Sequence, residues 1–83
     1  MKNKLLNNNL SFIYAIDTID KKIYCSKQIT EMGRVIYSKD NNKLVNRKTI
    51  KKYINTNNIY AGYLWTTNIQ LDNYMNYEII NIK

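Results

Sequence analysis

Arg47, Lys48, Lys51 and Lys52 are the residues of this chain whose types and spacing most plainly carry chemistry. Ile50, Tyr53 and Ile54 recur between them at i, i+3 and i+4, the rhythm of one buried helical face. The four cations fall mainly on the opposite side of that helix. Arg can pair bidentately with guanine and Asn with adenine, while Lys mostly meets phosphate. Asn55, Asn57 and Asn58 follow the cations as candidate base-edge or phosphate contacts. Lys21 and Lys22 stand where a hairpin loop would clamp a flanking phosphate, and Lys27, Arg34 and Lys43 add charge along the same stretch. The chemistry these residues suit is recognition of an anionic polymer.

Charge distribution sharpens that expectation. The 83 residues carry a formal net charge of +7. Residues 1–20 are neutral and residues 53–83 carry net −1, whereas residues 21–52 hold ten basic side chains against Glu31 and Asp40. Lys, Asn, Ile and Tyr all have AT-rich codons, and their abundance suggests a phage or mobile element of a low-GC host. Codon bias alone would spread lysine along the whole chain. A surplus confined to the central third is the footprint of a binder of nucleic acid. The competing reading is an ordinary solvated face on a Lys-rich helix.

Catalysis has little material here. There is no His, which removes His-dependent triads and dyads, and one Cys without His leaves no zinc site. Of the six carboxylates, Asp17 and Asp20 flank a turn, where turn chemistry explains them. Cys25 reads as a small core residue at a strand end. No Gly-rich phosphate loop exists. The expectation is a non-enzyme with no cofactor and no metal.

The elements that must position the cations follow from local pattern. Residues 1–9, MKNKLLNNN, read as a frayed arm, with neither a signal peptide nor a membrane span. LSFIYAID, 10–17, and IYCS, 23–26, read as a β-hairpin looping near Asp20 and Lys21. Ser26 is placed to cap a first helix over 27–37, on the stripe Ile29, Met32 and Ile36. Gly33 admits a shorter helix with RVIYSK as a strand. KDNNK is a turn, Asn46 a second cap, and 47–55 the second helix. IYAGYLWTT, 59–67, reads as one strand with Gly62 at a bulge or close approach. Leu71, Tyr74, Met75, Ile79 and Ile82 favour a helix from near Asp72, while YEIINIK also fits a strand. Residues 10–68 then form one small module and 69–83 an extension packing on it or on a partner.

At LVNRKTIKKYINTNNIYAGYLW, residues 44–65, the chain resembles the nuclease-associated modular DNA-binding domain, also called the intron-encoded nuclease repeat. Asn46 matches that family's second cap, Thr49-Ile50 and Tyr53-Ile54 its buried stripe, and residues 60–65 its closing aromatic strand. The first helix departs from the family, with Ile29, Thr30 and Glu31 where small residues usually stand. Residues 69–83 lie outside the resemblance. FIY and KIYCS are also similar to the paired tyrosine strands of a GIY-YIG nuclease, but the glycines of both halves are absent.

The expectation is an α+β chain: an N-terminal β-hairpin, two short helices in a helix-turn-helix-like arrangement, a closing aromatic strand, and a C-terminal helix or strand. Trp65, Tyr63, Ile50 and Ile54 would be core. The resemblance implies a non-catalytic module that binds DNA; the basic second helix points to double-stranded DNA at that helix, with RNA as an alternative. A different class of function also fits: a small phage-encoded inhibitor of a host defence nuclease, of anti-CRISPR type, working by protein or guide-RNA contact. Either would act in the bacterial host cytoplasm.

Overall fold

The computed structural model describes residues 12–82. The arm expected at 1–9 lies outside them. The fold is α+β. Five strands form one sheet: β1 (Ile13–Asp17), β2 (Lys22–Ser26), β3 (Ile59–Tyr60), β4 (Tyr63–Thr66) and β5 (Glu78–Asn81), in the order β3-β4-β1-β2-β5. Two seven-residue helices, α1 (Ile29–Val35) and α2 (Arg47–Tyr53), lie between β2 and β3 in the chain.

Strand alternation assigns the faces. Ile13 and Ala15 of β1 join Tyr63 and Trp65 of β4 in one buried cluster with Met32, Ile36, Val45 and Ile50. The helices therefore cover this face. Ile16 and Ile23, opposite each other in register, are buried on the other. The link from β4 to β5 must pass β1 and β2, and its Ile69 and Tyr74 line a small cavity with Ile16 and Leu64. Among the described residues no helix is long and apolar enough to cross a membrane.

Several expected boundaries are corrected. Ser26 does not cap α1, because it pairs with Ile13 as the last residue of β2. Its hydroxyl instead accepts from Gln28 N–H at 3.1 Å, and α1 starts at Ile29 behind Gln28, which makes no side-chain cap bond. The helix stops at Val35, not Tyr37. Ile36 is extended, and Tyr37 pairs with Leu44 across the turn, so the strand-forming character of Val35, Ile36 and Tyr37 prevails only after the helix.

The second helix ends at Tyr53, short of Asn55. Thr56 caps it from below, its hydroxyl donating to Tyr53 C=O at 2.6 Å, and Asn55 turns left-handed at φ 61. Residues 59–67 are not one strand but a hairpin. Ala61 and Gly62 have φ 60 and 88, the pair of left-handed residues a type I′ turn requires. The tail helix is replaced by a single 3-10 turn, Leu71–Tyr74, and by β5, which pairs parallel with β2.

A polar rivet joins the inter-helix loop to the sheet. Asp17 is buried, 2% exposed, and one carboxylate oxygen accepts from the N–H groups of Ile19 and Asp20, each at 3.0 Å. Its other oxygen lies 2.7 Å from the Lys39 ammonium, which also reaches Asp20 at 3.0 Å. Burial alone would raise the Asp17 carboxyl, but the Lys39 ammonium and the two backbone donors outweigh it and hold it below its ordinary value. The hydrogen bonds to Asp17 and then Asp20 raise Lys39 and keep it charged. Lys39 lies directly over Gly62, where an added Cβ would stand 2.8 Å from its side chain. Gly62 is thus required both by backbone and by close approach.

Candidate nucleic-acid interface

The second helix is held at both ends by one aromatic stack. Asn46 caps it as expected, its side-chain oxygen accepting from Lys48 N–H at 2.9 Å and Thr49 N–H at 3.2 Å. The Asn46 N–H in turn donates to the Tyr60 hydroxyl at 2.8 Å. Tyr53, at the far end of α2, stacks on the Tyr60 ring with centroids 5.5 Å apart. Tyr60 leans on Trp65, which is fully buried and donates its indole N–H to Tyr60 C=O at 3.0 Å. Ile50 is fully buried beneath the helix and Ile54 partly so.

What this mounting presents is cationic. Arg47, Lys48, Lys51 and Lys52 are all exposed. Helical spacing of four stacks Arg47 with Lys51 in one column and Lys48 with Lys52 in the next. No acidic residue stands in the first turn of α2. The Arg47 column faces α1, and its guanidinium donates to the Thr30 hydroxyl at 3.4 Å. Thr30, Gly33, Arg34 and Arg47 line a cleft of about 330 Å³ between the helices. Arg34 also meets Glu31 at 3.3 Å, with its own side chain 69% exposed.

These charges work against the helix that bears them. Two like-charged i, i+4 pairs cost about 0.2–0.5 kcal/mol each. Cations in a first turn oppose the helix macrodipole, at about 0.3–1 kcal/mol at exposed sites. The Asn46 cap and the last-turn cations Lys51 and Lys52 favour the helix, so the cost falls on the first-turn pair Arg47 and Lys48 and on the two like-charged columns. An anion laid across the face would relieve both.

The remaining candidate residues are dispersed. Lys43 sits in the loop that Lys39 ties to the β1–β2 turn. Lys21 occupies that turn at φ 56, with its ammonium 5.3 Å from the Tyr77 ring centre, and Lys22 is half-buried in β2. Lys27 lies near the start of α1, 5.7 Å from the Phe12 ring centre, beside a larger hollow of about 630 Å³ that Glu31, Cys25 and Asn81 also line. Asn57 borders the cavity on the other face of the sheet, with Ile16 and Leu64, away from α2.

Asn55 is structurally engaged. Its side-chain oxygen accepts from the Thr66 hydroxyl at 3.0 Å and Thr67 N–H at 2.9 Å, and its amide nitrogen donates to the Thr67 hydroxyl at 2.9 Å. Both acceptor positions and one of two donors are taken, so little remains with which to read a base. Of the residues singled out from sequence, Arg34 and Arg47 meet in one cleft and Lys48, Lys51 and Lys52 share the exposed surface of α2; Lys21, Lys22, Lys27, Lys43 and Asn57 do not join them. Sequence reading missed Thr30 as a lining residue and Tyr60 as the support of the cap. For Thr30 and Gly33 a signal existed: small residues three apart share a helical face.

Cys25 is buried, and burial raises its thiol above the ordinary value. No cluster of three or more metal-ligating side chains occurs among the described residues. No family model, curated protein or solved structure matches this chain.

Proposed function

We propose that this chain is a non-catalytic nucleic-acid-binding module that takes double-stranded DNA on α2. The observation that carries the reading is the exposed, acid-free cationic face of α2, whose like-charged columns repel and whose first turn is cationic. Dimensions support it. A seven-residue helix is about 10 Å long and 10–12 Å across with side chains, and the major groove is about 12 Å wide. Arg47, Lys48, Lys51 and Lys52 face the backbone phosphates lining the groove.

Fluorescence anisotropy with a labelled duplex across a salt series tests the reading. About four phosphate contacts correspond to a log–log salt slope of about −3.6. Absence of salt-sensitive binding at low ionic strength would falsify it.

The inhibitor reading keeps one observation of its own. Leu71 and Met75, on and beside the 3-10 turn, are 51% and 81% exposed, an apolar surface that suits a protein partner better than a phosphate backbone. A host partner captured equally with and without nuclease treatment would favour that second reading.

A further inference from the structure

We propose that the cleft between α1 and α2 seats one backbone phosphodiester, held between Arg34 and Arg47 above the bare backbone of Gly33. The proposal rests on the nucleic-acid reading above and assigns one of its contacts.

The cleft brings together two guanidinium groups and a hydroxyl in about 330 Å³. Arg47 is steered across it by the Thr30 hydroxyl at 3.4 Å. Arg34 gives one nitrogen to Glu31 at 3.3 Å, and the planar fork keeps further donors for a second acceptor. Glu31 does not line the cleft; it holds one nitrogen of Arg34 from outside it.

Gly33 is the independent observation. Glycine weakens a helix interior relative to alanine, and this position needs no left-handed backbone. Nor is it crowded. A Cβ on Gly33 would meet Val45 C=O at 3.5 Å and the Arg47 Cβ at 3.8 Å, both ordinary contacts. The fold supplies no reason for glycine, whereas the cleft does: the added methyl would stand on its floor and keep a phosphate from reaching both guanidinium groups. The Arg47–Lys51 column continues from the cleft along α2, so the seat opens onto a basic track suited to a polyanion.

Thermal melting and anisotropy on a labelled duplex across a salt series decide the matter. Gly33→Ala should raise Tm by about 2–8 °C. The same variant should lower affinity on the order of tenfold, as expected when a hydrogen bond to a charged group is lost. Arg34→Gln should reduce the magnitude of the salt slope by about one. If the native chain binds while Gly33→Ala binds equally well and Arg34→Gln keeps the native slope, the cleft is no phosphate seat and the α2 reading stands. If the native chain does not bind the duplex, both fall. Should Gly33→Ala not fold, the exposed Arg34→Gln decides alone.

Discussion

The two helices are equal in length and opposite in how they are stabilised. In α1 the charges serve the helix: Glu31 stands in the first turn, Arg34 in the last, and the two pair at 3.3 Å. Its N-cap, Gln28, makes no side-chain bond. In α2 the cap is complete and the last turn is basic as in α1, but the first turn is cationic and no acid answers it. A helix this short is not stable alone, so each depends on tertiary contacts. Met32 and Ile50, both fully buried, supply them. The difference teaches where each helix's surface is directed. In α1 an acid and a base pair with each other, while α2 carries four cations and no acid.

The largest effect should come from removing the support that α2 has and α1 lacks. Trp65→Ala should cost about 3–5 kcal/mol in a denaturant titration, because it empties the core and drops Tyr60 from beneath both ends of α2. Next is the cap. Asn46→Ala should cost about 1 kcal/mol, which lowers Tm by about 4–8 °C in a domain of this size.

Acid tests the loop that joins the two helices. Asp17 is held below its unfolded value, so its contribution is fully present above the unfolded carboxyl pKa. That contribution is lost as pH falls through the lower folded value. Urea midpoints measured downward from neutral pH should fall in that acid window, and Asp17→Asn should flatten the dependence.

Smaller effects separate the helices by sign. Lys48→Glu should stabilise the fold by about 0.3–1 kcal/mol, since it places an acid in the first turn of α2. It should also weaken duplex binding. Glu31→Gln in α1 should destabilise by about 0.2–0.5 kcal/mol without weakening binding, since it removes the carboxylate beside Arg34. If Lys48→Glu instead destabilised the fold, the account of α2 as a helix working against its own charges would fail.

Local chemistry made much of this legible. The cap at Asn46, the stripe of Ile50 and Tyr53, and the turns rich in Asp and Asn rest on contacts between near neighbours, which a sequence displays. The hairpin of 59–67 was hidden because Ala61, a residue that rarely turns left-handed, sits where Asn would announce a type I′ turn. The tail was hidden for a different reason. Ile79, Ile80 and Tyr77 suit either period, and what decides is a partner strand far away in the chain. The same distance concealed the engagement of Asn55 by Thr66 and Thr67 and of Lys39 by Asp17. Charge placement was legible; which charges the fold uses internally was not.

The parallel join of β5 to β2 has a kinetic consequence. Its partners stand 56 residues apart, as in the 3.0 Å contact between the Cys25 sulfur and Asn81. Closing so long a span is entropically slow, so this strand should dock after the local hairpins have formed. Like β3 it is an edge strand, paired on one side only, from Glu78 N–H to Lys21 C=O and Ile82 N–H to Cys25 C=O. Its departure would uncover the chain's single thiol. The alkylation rate of Cys25 is therefore a built-in clock for how often the sheet loses its last strand.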